Sequence, residues 1–495
     1  MAKKSSRFAS NVLKLAMGSA FAQGLVIISA PVLTRLFAPE AFALAAVFAS
    51  MTSILRVLSC FRYEMSIVLP KDDDEAANLL GLSLCMVLLV TGLSGVLIFF
   101  AGDFFVQMLH SEELEQYLWL IPVLTFVNGF FLAMNYWYTR QQRFGQLSVA
   151  RVVSSILAQG GKVGLGFAGY VSGGVLIVTS FVGNLISMCF LGGQMWRTDR
   201  ALLQRTIRWD RILSGLKRYK KFPLITLWSV FLNSVSRESA IWVLAYFFAS
   251  PVVGFYEICR RVLGVPAHLI GQSIGQVFFQ RAAQVKQQDG ELGKVVENVF
   301  KRLVALGMFP FFFLACHGRD IFTVLFGKQW DEAGVYMQIL SVSIFFSFVV
   351  SPLSQVFSIL ERQGRSLIFN SVFFVVPTAA MVMGGLMGNE LVALGLFAGL
   401  RAALYFWLCL WIFLNVGAST GRCIYYFCKY GAYCGGILGL TIPARYWLGV
   451  GPWGILALGC LGGIVYYVLI LREDRELKDF MRNAFQRFGF TQEES

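Results

Sequence analysis

The sequence predicts an all-α polytopic membrane protein with about fourteen transmembrane helices. Three observations predict it. The chain is 57% hydrophobic, 15% aromatic and only 14% charged, with a mean hydropathy of +0.66, well outside the range of soluble domains. Its apolar residues gather into fourteen stretches, each about long enough to cross a bilayer. Lys and Arg fall in alternate gaps between those stretches.

A helix rises about 1.5 Å per residue and needs about 20 apolar residues to cross the hydrocarbon core, where only helices or closed barrels satisfy their backbone groups. In the first half the spans fall at 11–34, 41–60, 78–100, 117–138, 146–168 and 172–192. The second half places them at 222–248, 252–279, 303–326, 333–360, 366–387 and 390–416, and a last pair lies at 430–447 and 452–471. The first stretch resembles a signal peptide, since Lys3, Lys4 and Arg7 precede an apolar run and Ala20-Phe21-Ala22 imitates a cleavage site. Lys14 interrupts that run, which continues to Leu33, so it reads as an uncleaved first helix.

Counting charge assigns sidedness, because cytoplasmic segments retain Lys and Arg. Thirty of the 42 Lys and Arg lie on one side, in the tails and in the loops after even-numbered spans. The other side holds Arg35, Lys328 and Arg445. Both termini are therefore expected in the cytoplasm.

Several function classes are poorly supported. The net charge of +14 lies mostly in basic loops such as Arg197 to Lys221, where orientation and anionic lipid account for it without nucleic acid. The ten cysteines are scattered, and the nearest group, Cys423, Cys428 and Cys434, has neither zinc-ligand spacing nor a histidine partner. They read as buried thiols. His110, His268 and His317 form no metal pattern, and no catalytic triad emerges, so an enzyme is not expected. No Gly-x-x-x-x-Gly-Lys-Ser/Thr motif is present, and the longest basic loop, about 29 residues, cannot hold a nucleotide-binding domain. An ion, potential or substrate gradient would have to supply energy.

Nine cations remain inside the spans: Lys14, Arg56, Arg151, Lys162, Arg237, Arg260, Arg261, Arg319 and Arg401. Lys14, Arg56 and Arg151 are close enough to span ends to snorkel, and Arg319 can pair with Asp320. Five are deep, Lys162, Arg237, Arg260, Arg261 and Arg401, at a cost of roughly 15 kcal/mol if nothing solvates them. Glu238 and Glu257 are the comparably deep carboxylates, which leaves three surplus positive charges for an anionic ligand. Glu257 and Arg261 are spaced for an intrahelical pair, with Arg260 about 100° away. Arg62 and Glu64, where the second span ends, read either as a local ion pair or as part of a gate. Pro122, Pro223, Pro266, Pro310, Pro352 and Pro377 are expected to bend or start helices.

Two passages suggest duplication of a six-helix bundle. Arg140-Gln141-Gln142-Arg143 after the fourth span has a counterpart in Arg362-Gln363-Gly364-Arg365 after the tenth. Phe37-Ala38-Pro39 has one in Phe248-Ala249-Ser250-Pro251. An even helix number gives the copies parallel topology about an axis along the membrane normal. The expected lobes are 1–221, containing helices 1–6 and a basic linker, and 222–416, containing helices 7–12. Residues 417–495 add helices 13 and 14 and a tail.

Arg62-Tyr63-Glu64, Ile67-Val68-Leu69-Pro70, Asp72-Asp73-Asp74-Glu75-Ala76, Asn135-Tyr136-Trp137-Tyr138, Val253-Gly254-Phe255-Tyr256, Arg261-Val262-Leu263 with Pro266, Gln276-Val277-Phe278-Phe279, and Phe326-Gly327-Lys328-Gln329-Trp330 with Ala333-Gly334 occur in this order. Over about 420 residues these passages resemble the polysaccharide-unit (O-antigen, Wzx-type) flippases of the multidrug/oligosaccharidyl-lipid/polysaccharide exporter superfamily. The resemblance implies two six-helix lobes around a central cavity and transport of an undecaprenyl-pyrophosphate-linked oligosaccharide for cell-surface polysaccharide or lipopolysaccharide assembly. No cofactor is implied. Na+ or H+ would be the coupling ion, and a polysaccharide polymerase and chain-length regulator would be the partners. A lipid II flippase and a drug/cation antiporter of the same superfamily are the alternatives.

Overall fold

The computed structural model describes residues 2–288, 290–360 and 362–473. Among these residues the chain forms sixteen α-helices and no strand: α1 Ala2–Leu36, α2 Pro39–Leu58, α3 Asp73–Met108, α4 Leu120–Arg140, α5 Phe144–Phe167, α6 Gly173–Thr206, α7 Trp209–Arg218, α8 Leu227–Phe247, α9 Ser250–Gln287, α10 Leu292–Phe326, α11 Asp331–Leu353, α12 Val356–Ile359, α13 Gln363–Leu386, α14 Glu390–Asn415, α15 Thr420–Tyr446 and α16 Pro452–Glu473. Among the described residues ten segments are long and apolar enough to cross a membrane. The other four expected spans fall on α5, α8, α9 and α15, three of which carry the deep charges of residues 151–261.

Several helices run beyond their expected spans, α3 and α10 among them. The region 193–221, expected as a loop, is largely helical: α6 continues to Thr206 and α7 follows almost at once. Neither Pro nor Gly interrupts Gln194 to Asp210, and Asp199 is fixed midway by Arg143 and Trp137. Likewise α9 extends to Gln287.

Contacts divide the chain into two compact units, 1–258 with 370–390, and 259–369 with 391–495. This partition cuts across the 221 boundary, because α8 packs on α2, and Thr378 of α13 bonds Ser239 at 3.1 Å.

In the first unit, Pro39 starts α2 where its missing N–H costs nothing. Its carbonyl lies so close to Gly254 that an added Cβ would come within 2.0 Å of the oxygen. The glycine of Val253-Gly254-Phe255-Tyr256 therefore permits helix contact. Asp73, Asp74 and Glu75 occupy the first turn of α3, where the helix dipole favours negative charge. One core joins four of the family-like passages: Tyr63, Ile67, Ala76, Trp137 and Tyr138 are all buried in it. Tyr138 Oη donates to the Leu191 carbonyl at 2.8 Å, and Tyr63 Oη to that of Leu216 at 3.2 Å.

In the second unit, α10 packs along α11, α15 and α16. Pro310 lies inside α10, yet the non-helical angles within it are at His317. There Gly318 and Gly334 bring two backbones together, and a Cβ on Gly334 would sit 2.4 Å from Arg319 Cα. Gly327 ends α10 at φ +99, a left-handed conformation that glycine adopts without strain. Pro352 and Pro377 lie inside α11 and α13, Pro122 lies in the first turn of α4, and Pro223 opens a short π-helical segment before α8.

Candidate functional site

The first unit concentrates its exposed deep charge where α2 meets α8. Trp242 Nε1 donates to Ser50 Oγ at 2.7 Å, and Ser53 Oγ donates to Glu238 Oε1 at 3.1 Å. These bonds fix an antiparallel register, which sets Arg56 opposite residues 235 and 236 and hence beside Arg237. Both residues are exposed along their length. Arg56 feels the charges of Arg237 and Glu238, yet neither arginine forms an ion pair within 4.0 Å among the described residues. Glu238 is buried, 7% exposed, and holds its hydrogen bond from Ser53. Two neighbouring cations repel, and Arg237, at a helix centre, would cost about 2.5–3.5 kcal/mol against lipid. Arg237 is the central residue of α8. The arrangement suits water and an anion that accepts from both groups.

Sequence reading singled out Arg237 and Glu238 but assigned Arg56 to the interface. Alignment of Ser50 and Ser53 with Trp242 and Glu238 was the missing information, and it is a tertiary fact.

The other predicted site residues have separate settings. Lys162 is buried on the α5 stripe that also carries Ala158 and Gly166. Glu257 is buried, whereas Arg260 and Arg261 are half-buried, and all three engage other residues. In the second unit Arg401 Nη2 donates to Tyr405 Oη at 3.2 Å, and its Cζ lies 5.1 Å from the centre of the Phe397 ring. Arg151 donates to Ser19 Oγ at 2.8 Å, joining α5 to α1. The Lys14 and His268 side chains and the tail beyond residue 473 lie outside the described residues.

Arg319 departs from expectation. It lies 4.0 Å from Asp331, while Asp320 receives Arg445 at 2.8 and 2.9 Å. The break at His317 accompanies this change of partner. The cysteines differ too: Cys189, Cys428 and Cys460 are exposed, because several apolar faces of these helices are not covered by protein.

Arg62 and Glu64 form the local ion pair, at 3.3 Å. Phe61 and Arg62 both have left-handed φ, 49° and 65°, an uncommon conformation for side chains of this size. This turn buries Glu64 completely, and neither carboxylate oxygen has a hydrogen-bond partner. Burial pushes its carboxyl above the usual range, against the opposing pull of Arg62.

Arg140 and Arg143 serve as braces. Arg140 reaches the carbonyls of Pro70 and Lys71 at 2.6 and 3.2 Å and Asp73 at 2.9 Å. Arg143 holds Asp199 through both oxygens at 2.9 Å, and Trp137 Nε1 donates to the same carboxylate at 3.0 Å. Their sequence counterparts in the second unit behave similarly, since Arg362 bonds Asn415 and Arg365 lies 5.8 Å from the centre of the Trp411 ring.

A cavity of about 580 Å³ opens at the other end of α2, lined by Glu40, Gln107, His110, Glu112, Glu113 and Ser250 among others. It contains none of the predicted site residues, and its three carboxylates would repel a pyrophosphate.

This fold, with charge set deep in otherwise apolar helices, is that of a multi-pass helical membrane protein. The chain belongs to the polysaccharide biosynthesis protein family, whose profile matches residues 32–335. No curated protein shows a significant match. The structure is similar to the lipid II flippase MurJ in its inward closed conformation, with a TM-score of 0.72 and 9% identity over 93% of this chain and 99% of that one. It is also similar to an inward-facing multidrug resistance MATE family transporter of the MOP superfamily, with a TM-score of 0.63 and 15% identity over 80% of this chain and 94% of that one. A third likeness is to the eukaryotic MATE transporter AtDTX14, with a TM-score of 0.52 and 15% identity over 83% and 99% of the respective chains. At such identities the likeness is one of fold.

Proposed function

We propose that the protein is a flippase that moves an undecaprenyl-pyrophosphate-linked oligosaccharide unit from the cytoplasmic to the periplasmic leaflet for cell-surface polysaccharide assembly. In this reading it spans a bacterial inner membrane fourteen times with both termini cytoplasmic, as two six-helix repeats followed by a further pair. Membership of a polysaccharide biosynthesis family supports it. The observation that carries it is the adjacent exposed pair Arg56 and Arg237 on α2 and α8. A pyrophosphate can accept from both guanidinium groups, and forked donors suit phosphate oxygens. Lys162 in the first unit, and Arg260, Arg261 and Arg401 in the second, are further cations in this reading, with Na+ or H+ as the coupling ion. The sugar stays hydrated and the polyprenyl tail remains in lipid.

The test is a deletion strain. Loss of surface polysaccharide, with the lipid-linked unit accumulating on the cytoplasmic leaflet, is expected, whereas normal export overturns the reading. A second reading, lipid II transport, draws on the fold likeness covering 93% of this chain. Essentiality for growth in a strain that makes no exopolysaccharide would favour it.

A further inference from the structure

The amphipathic helix α7 is unusual in what it leaves uncovered. Successive residues on a helix are about 100° apart, so Ile212 and Gly215 share one face, Trp209 and Leu213 an adjoining one, and Asp210, Ser214 and Arg218 the opposite side. The first face packs on α3. An added Cβ on Gly215 would meet Leu79 Cδ2 at 3.0 Å, and one on Gly81 would meet Ile212 Cδ1 at 3.5 Å. Arg208 N–H donates to Asn78 at 2.9 Å, and Arg218 pairs with Glu75 at 2.8 Å, so the helix is firmly docked.

Among the described residues no protein covers the adjoining face: Trp209 is 70% and Leu213 54% exposed. Leu224 and Ile225 in the π-helical segment before α8, and Trp228 in the first turn of α8, are exposed as well. Around this apolar strip stand Arg205, Arg208, Lys217, Lys220 and Lys221, whose side chains form no ion pair among the described residues. Residues 197–221 contain nine Lys and Arg against Asp199 and Asp210. An apolar strip bordered by unpaired cations complements a surface that is hydrocarbon below and anionic above. Three residues separate α7 from the π-helical segment that leads into α8, so an α8 that crosses the bilayer would set the strip at the level of a leaflet surface.

We propose that α7 is a docking strap for anionic phospholipid. Trp209 and Leu213 insert among the acyl chains, and Arg205, Arg208, Lys217, Lys220 and Lys221 hold the headgroup phosphates. The segment between α6 and α8 is thereby pinned to an anionic leaflet. This assignment is independent of what the protein transports.

Hydrogen exchange read by mass spectrometry on peptides covering 209–218 tests it, using the full chain in nanodiscs of phosphatidylcholine alone or with a third of the lipid replaced by phosphatidylglycerol. Exchange at least about tenfold slower with phosphatidylglycerol is expected. Equal rates in the two discs overturn the proposal, since the wild-type comparison needs no variant. The R205Q/R208Q/K217Q/K220Q/K221Q variant should lose the difference, with exchange in α3 and α4 unchanged. Retention of the difference there removes these cations from the docking surface. W209S/L213S should raise exchange in the anionic disc, and an unchanged rate refutes insertion.

Discussion

Replacing Arg237 with Ala removes one of two adjacent cations while leaving the helices in place. A hydrogen bond to a charged group contributes about 1.5–3 kcal/mol, and about 1.4 kcal/mol is a factor of ten. Affinity for undecaprenyl pyrophosphate should therefore fall about 10- to 150-fold, and by about 100-fold or more when Arg56 is also replaced. The fold should tolerate the change, because no ion pair within 4.0 Å is broken and Glu238 keeps its 3.1 Å bond from Ser53. Lys at 237 should restore part of the affinity, by charge without the fork. The assay is a titration of the purified protein with the lipid, read by native mass spectrometry, beside thermal melting in the same detergent. Wild-type affinity in the double Ala variant, with normal melting, would refute the assignment of this pair to headgroup binding.

Arg143→Ala should behave oppositely. It strips two bonds from Asp199, which is 6% exposed and keeps only the Trp137 bond, and removing the cation from a buried ion pair costs about 3–5 kcal/mol; melting temperature should drop clearly, and Asp199→Asn with Arg143→Ala together should recover some of it. Glu64 gives a pH signature. Its folded carboxyl is raised by burial, so its contribution to stability is fully present below the unfolded value of about 4.5 and is lost as pH rises through the folded value. Wild-type melting temperature should thus rise on acidification towards that value, and Glu64→Gln should flatten the rise while melting higher at neutral pH; a profile unchanged by the substitution would contradict this. Gly254→Val should prevent α9 from meeting Pro39, where a Cβ comes within 2.0 Å of the carbonyl, and detergent-stable protein should be lost in size-exclusion profiles.

Helix class and position were legible in the sequence because lipid imposes length and polarity on every crossing segment. The α2 start at Pro39 and the glycine end of α10 could likewise be read from local chemistry. The helical character of 193–221 was hidden, since basic residues look like a loop until Asp199 is seen to bond Trp137 and Arg143. The site was legible only by type. Deep arginines stand out by cost, but which of them meet depends on interhelical register, and Arg56 gained its neighbour from the alignment of Ser50 and Ser53 with α8. The family-like Arg62-Tyr63-Glu64 and Asn135-Tyr136-Trp137-Tyr138 passages contribute mainly packing, as the burial of Tyr63, Trp137 and Tyr138 in one core shows.

The central claim is that paired cations at α2 and α8 carry a pyrophosphate-linked sugar across the bilayer. Its most direct test is transbilayer movement of a fluorescent undecaprenyl-pyrophosphate-linked oligosaccharide in vesicles containing only the purified protein. Transfer should be rapid with the wild type and reduced to the protein-free rate with R56A/R237A. Equal transfer by the variant, or none by the wild type, would contradict the account.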